Sequence, residues 1–188
     1  MMHTYFHETA ETYDGRQLSS LWAFRRFGLQ GDSIVSFIGP CHVTREALVD
    51  LADAREGAVI YSRKMLHFIV EHFELDLEKA VLRQRLLTVI VQEVITGRAR
   101  VRLARDGDDL YYEGRKLSVS IATLSPVSSL IHLGLNIDAR GTPVPAAGLL
   151  DLGFNEADIP SLAKHVMQAY AQEMASVYLA RCKVRGVN

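Results

Sequence analysis

Residues 107–138 read GDDLYYEGRKLSVSIATLSPVSSLIHLGLNID, and the period of this stretch decides the fold. Along Lys116–Thr123, Lys116, Ser118, Ser120 and Ala122 alternate with Leu117, Val119, Ile121 and Thr123. Along Leu130–Ile137, His132, Gly134 and Asn136 alternate with Ile131, Leu133, Leu135 and Ile137. A period of two sends successive side chains to opposite faces of a strand, so each segment reads as a strand with one apolar face. Leu110–Tyr112 reads as a third strand, entered from the turn pair Asp106-Gly107 and separated from the next by Gly114; a loop containing Pro126 parts the last two. The spacing predicts an antiparallel meander.

Outward from the meander the period changes. Upstream, Asp76 can cap a helix in which Leu77, Ala80, Val81, Leu87, Val91, Val94 and Ile95 recur at helical spacing, with Gly97 as its stop. Arg98, Arg100 and Arg102 then alternate with Ala99, Val101 and Leu103, as in a half-exposed strand. Leu66–Phe73 is rich in β-branched and aromatic residues and reads as a strand, with Ala58–Tyr61 as a short one before it. Ser33–Ile38 reads as a buried strand closed by the turn pair Gly39-Pro40, and Gln17–Phe27 as a short helix ending near Gly28. Downstream, after a loop bearing Gly141, Pro143, Pro145 and Gly148, Asp158 and Pro160 open a long helix with Ala163, Val166, Met167, Tyr170, Met174 and Val177 on one side. The expectation is an α+β (α/β) chain with a mixed, largely antiparallel sheet packed by helices, in a single domain over residues 1–188.

Composition narrows the function classes. The chain has 188 residues, 48% of them hydrophobic and 23% charged, which excludes disorder as the main state. Lys and Arg number 21 against 22 Asp and Glu, a net charge of −1, which argues against a general nucleic-acid binder. Cys41 and Cys182 are too few and too far apart for a disulfide framework. With no signal-peptide core and no apolar run long enough to cross a bilayer, a cytoplasmic location is expected and a membrane partner is not; a homo-oligomer is left open.

The polar faces of the last two strands carry Ser118, Ser120, His132, Gly134 and Asn136 beside Lys116, in place of the long charged side chains usual at a solvated surface. Small residues leave room for a ligand, and Gly lets it approach the backbone, so these strands are expected to floor a small-molecule site. His67, Glu71 and His72 form H-x-x-x-E-H; His67 and Glu71 share a face, as a hydrogen-bonded pair near the pocket or as two metal ligands, while His72 points away. Cys41 and His42 point in opposite directions on an extended segment, so Cys41 reads as a buried structural residue. Arg98, Arg100 and Arg102 read as a solvated face.

The same 107–138 stretch resembles the central part of biotin and lipoate protein ligases. In those enzymes an Asn-Asp pair precedes a strand, a Gly-x-Lys-type turn delivers a lysine, and a later strand ends in an Asn-bearing element. Asp108-Asp109, Gly114-Arg115-Lys116 and His132-Leu133-Gly134-Leu135-Asn136 stand in those places. The whole chain is similar to the family catalogued as Domain of Unknown Function 366, through YDGRQLSSL (13–21), GDSIVSFIGPCHV (31–43), MLHFIVEHF (65–73), RQRLL (83–87) and GDDLYYEGRKLSVSIAT (107–123).

The resemblance implies a biotin/lipoate ligase-like fold and an enzyme of ligase or acyltransferase type, acting on a carboxylate or acyl substrate. Together with the polar strand faces and the His67–Glu71 pair, it gives Lys116 and His132 as catalytic candidates, Ser118, Ser120, Gly134, Asn136, Arg63, His67 and Glu71 as substrate-binding candidates, and Asp108 and Asp109 as holders of magnesium beside ATP. A fixed ammonium beside an acyl carbonyl stabilises charge developing during transfer. The ligases wrap nucleotide in a glycine-rich loop, however, and the stretch in that place, Tyr61-Ser62-Arg63-Lys64-Met65, has no glycine; the cysteine used by related transferases is also missing from AAGLLDLGF (146–154). Two other readings therefore stand beside the enzyme: a noncatalytic ligand-binding or scaffold protein of the same fold, and a metal-dependent hydrolase using His67 and Glu71.

Overall fold

A computed structural model describes residues 2–56, 60–142 and 145–187. In chain order the elements are β1 (His3–His7), α1 (Trp22–Phe27), β2 (Ser33–Val43), α2 (Leu51–Glu56), β3 (Ile60–His72), α3 (Leu77–Ala99), β4 (Ala104–Asp106), β5 (Asp109–Tyr112), β6 (Arg115–Lys116), β7 (Ser118–Leu124), β8 (Ser129–Asp138) and α4 (Ile159–Arg181). A five-stranded sheet runs in the order β1-β2-β3-β8-β7, and β4-β5-β6 form a separate three-stranded sheet. Among the strands of the described residues only the β1–β2 pair is parallel. The fold is thus α+β, with a mostly antiparallel sheet packed by helices. No helix of the described residues is long and apolar enough to cross a membrane.

The two long helices cover one face. Asp76 caps α3 by accepting from Lys79 N–H at 2.9 Å, and Pro160 sits in the first turn of α4. α3 packs on β7 and β8, α4 on β1 and β2, and Leu66, Phe68, Val70, Leu133, Leu135, Leu87 and Val166 form the main core between them. A second, smaller core of Tyr13, Phe37, Cys41, Val43, Met65 and Ile69 lies on the opposite face.

Several local expectations are corrected. α3 runs through Gly97 to Ala99 and stops where Arg100 turns left-handed at φ 55°, its N–H bonding to Thr96 O. The alternation over 98–103 is therefore not a strand. Leu103 is buried in the main core, with Ala99 and Val101 partly buried against it, and Gln92 bonds the Leu103 carbonyl, so the pattern is satisfied without a ladder partner. The Gly39-Pro40 pair does not end β2: the strand continues to Val43 across a bulge between Gly39 and Cys41, which accommodates a residue with no N–H to give. Gly39 is required there, because a Cβ would stand 1.8 Å from the Glu11 carbonyl oxygen. The helix expected over Gln17–Phe27 is confined to Trp22–Phe27, since Leu21 is itself left-handed at φ 59°. Of the short strand expected at Ala58–Tyr61, only Ile60 and Tyr61 lie within the described residues, as the start of β3; Ala58 and Pro143 lie outside them.

Candidate functional site

The expected strand Lys116–Thr123 is two strands that meet at a corner. Leu117 donates its N–H to Leu110 O in the small sheet, and its carbonyl accepts from Asn136 N–H in the large one. Lys116 therefore belongs to the small sheet and Ser118 to the large, with the buried Leu117 as pivot. On the small sheet Lys116 lies opposite Tyr111, so Asp109 is its diagonal neighbour on the same face, and Lys116 Nζ reaches Asp109 Oδ2 at 2.8 Å. Burial raises the Asp109 carboxyl above its ordinary range; Lys116 opposes that shift, and Asp108 and Asp106 add to it. Asp108 is held from α3, where Gln84 Nε2 donates to Asp108 Oδ2 at 2.7 Å and to Ser120 Oγ at 2.8 Å.

This corner forms one wall of a cleft of about 380 Å³, within the usual range for small-molecule sites. Apolar residues Val119, Ile121, Met65 and Val43 line it together with Tyr13 and His132, the segment Ala47–Asp50 closes another side, and Lys116, Asp108, Asp109, Ser62 and Asn136 supply polar groups.

The expected single polar floor is not one face. In the β7–β8 ladder Val119 lies opposite Gly134 and Ile121 opposite His132, whereas Ser118 and Ser120 lie opposite Leu135 and Leu133. Directly paired residues point to the same side of a sheet, so the Ser118 and Ser120 side chains project to the helix side and His132 to the other, although Ser118, Ser120, His132 and Asn136 all border the cleft and Gly134 does not. Ser118 Oγ accepts from Leu110 N–H at 2.8 Å, bracing the corner. Alternation within each strand was legible, but the phase between strands is a property of the register. A Cβ at Gly134 would stand 2.8 Å from the Met65 methyl, which would have to shift to admit it.

The remaining candidates separate. His67 Nδ1 meets His132 Nε2 at 3.1 Å, and His67 Nε2 donates to Gly39 O at 3.2 Å. Desolvation pushes His67 down to about 4, and burial, then its neighbour His67, holds His132 well below its ordinary range. Glu71 is not bonded to His67; its Oε1 accepts from Leu21 N–H and from Ser128 Oγ. His72, on the helix face, binds Asp32 and Tyr170. Among the described residues no group of three His, Cys, Asp or Glu is placed to hold a metal ion. Arg63 is exposed and does not line the cleft. Cys41 is buried, its thiol pushed up to about 12 by desolvation, and Cys182 is exposed beyond α4. Tyr61, Ser62 and Met65 pair with His42, Cys41 and Gly39 in β3, so this stretch is ladder and not a phosphate-wrapping loop.

Sequence reasoning missed Tyr13, Ala47–Asp50 and Ser62. Tyr13 lies flat on His132, with ring centroids 3.7 Å apart and planes at 15°. Ser62 is 2% exposed, and its Oγ has no hydrogen-bond partner among the described residues although it belongs to a cleft-lining residue. Only its position opposite Cys41 across the bulge marks it, and that is invisible in the string of residues.

A family model described as "Domain of unknown function (DUF366)" matches residues 2–185. A solved protein of unknown function from Pyrococcus horikoshi is 38% identical, with a TM-score of 0.94 and 100% of each chain covered. Two more distant structures share the fold. A biotin protein ligase from Aquifex aeolicus, in complex with biotin and ATP, superposes with a TM-score of 0.60 at 12% identity, over 89% of this chain and 70% of that one. A putative lipoate protein ligase from T. acidophilum with bound lipoic acid gives 0.61 at 11%, over 90% and 85%.

Proposed function

This chain belongs to the DUF366 family, a domain of unknown function on the biotin/lipoate protein ligase fold, and from that premise we propose that its cleft binds a small carboxylic acid or acyl compound whose negative charge Lys116 stabilises. The observation that carries this reading is an ammonium group fixed by Asp109 at the wall of a cleft with an apolar lining. Such a cleft suits an amphipathic acid: the hydrocarbon part covers Val119, Ile121 and Met65, and the carboxylate accepts charge-assisted hydrogen bonds from Lys116 Nζ. Biotin and lipoic acid, bound by the two ligases of similar fold, are both carboxylic acids.

Group transfer would use Lys116 to stabilise the oxyanion on the acyl carbonyl. The reading carries no step through ATP and magnesium, because Tyr61, Ser62 and Met65 are committed to the ladder with β2. That same commitment favours the second reading, a binding protein without turnover.

The test is calorimetric titration of the purified protein with octanoate, lipoate and biotin, each with and without ATP and magnesium. At least one acid is expected to bind, and Lys116→Ala to weaken it by about tenfold or more. Pyrophosphate release from ATP in the presence of an acid assigns the ligase reading, and binding without turnover the noncatalytic one. If no acid binds, or if Lys116→Ala binds as tightly as the wild type, the proposal fails.

A further inference from the structure

The buried histidine pair beneath the cleft has a direction. Gly39 O can only accept, so His67 Nε2 carries a proton and His67 Nδ1 is bare. A bare His67 Nδ1 in turn requires the proton on His132 Nε2, 3.1 Å away, and a neutral His132 then has an unprotonated Nδ1. Both rings are almost fully inside the protein, at 0% and 3% exposure, and desolvation keeps both uncharged. The orientation is fixed on every side: Tyr13 stacks on His132 and His67, Phe37 stacks on His67 at 4.9 Å, and Gly39 cannot be replaced without displacing the Glu11 backbone.

The two nitrogens of an imidazole diverge. His132 Nε2 points toward His67 on β3, so Nδ1 points back toward β7, where Val119 and Ile121 line the cleft. No protein donor to His132 Nδ1 is found among the described residues. We infer that His132 offers the cleft an uncharged hydrogen-bond acceptor, and that the acid bound there carries an O–H or N–H donor remote from its carboxyl group. The carboxylate part of this statement rests on the function proposed above; the acceptor does not. His132 is then a specificity-determining residue, and His67 and Gly39 are positioning residues that act through it.

Asn136 and His132 both line the cleft and are separated along β8 by roughly 13 Å of strand, a length of the order of an octanoyl chain.

The experiment has two arms. In the first, nitrogen-15 histidine NMR on the labelled wild-type protein is expected to give His132 a protonated Nε2 and an unprotonated Nδ1, unchanged between about pH 8 and pH 6. A protonated Nδ1, or a ring that becomes charged in that interval, overturns the acceptor whatever the ligand. In the second, omega-hydroxyoctanoate is titrated against its methyl ether. The hydroxy acid is expected to bind about tenfold more tightly, and His67→Phe, which frees His132 to take the other tautomer, is expected to abolish that preference. Equal affinity of the two acids in the wild-type protein overturns the donor requirement. Failure of octanoate and both derivatives to bind overturns the carboxylate reading, which the NMR arm does not depend on.

Discussion

Lys116 was singled out by the polar face of its strand and by the likeness of Gly114-Arg115-Lys116 to the ligases' lysine turn; the turn itself is a local feature, and Gly114 does adopt φ 74°. Ser62 was not, because its chemistry comes from what surrounds it: a hydroxyl 2% exposed, with no partner among the described residues, in a residue lining the cleft. An unpartnered buried hydroxyl contributes nothing to folding, so Ser62→Ala is expected to leave stability unchanged or raise it by up to about 1 kcal/mol. The same variant is expected to weaken binding of the acid. Urea unfolding and ligand titration on one preparation check both, and a clear loss of stability would refute this role for Ser62.

At the scale of elements, the starts of the two long helices were legible and the end of α3 was not. Asp76 and Pro160 act through local capping geometry, whereas α3 passes Gly97 because the packing of its far end, not propensity, sets where it stops. A tertiary pin of the same kind joins three elements. Asp32 Oδ1 accepts from Phe73 N–H, Asp32 Oδ2 accepts from His72 Nδ1–H at 2.9 Å, and His72 Nε2 meets Tyr170 OH at 3.0 Å, tying the start of β2 to the end of β3 and to α4. Burial alone would raise the Asp32 carboxyl, but the bonds from His72 and Phe73 outweigh it and hold the group below its ordinary 3.8. A folded-state value below the unfolded one means that the unfolded chain binds the proton more readily. The pin therefore stabilises the protein above about pH 4 and its contribution fades as pH falls through the depressed folded value. Asp32→Asn is expected to be less stable than the wild type at neutral pH, with the difference shrinking in acid; urea unfolding across a pH series measures it, and a gap that widens in acid would contradict the assignment.

At the scale of the whole molecule, the sheet separates two jobs. One face buries the main core against α3 and α4, and the other carries the small core and the cleft. Leu133 is fully buried on the helix face, opposite Ser120, so Leu133→Ala is expected to cost about 2–5 kcal/mol of stability while leaving the ligand affinity of the folded protein unaltered. Denaturant unfolding paired with titration checks this, and a matching loss of affinity would show that the two faces are coupled. The strands β2, β3, β5 and β8, the two long helices, the lysine turn and the α+β class could be read from residue order, because period, caps and turn residues act over a few neighbours. The phase of β7 against β8, the corner at Leu117 that carries Lys116 into a different sheet, the stacking of Tyr13 on His132 and the isolation of Ser62 depend on chain segments far apart in sequence. Register and burial are set when those segments meet, and only the assembled sheet decides which alternating face becomes core and which becomes cleft.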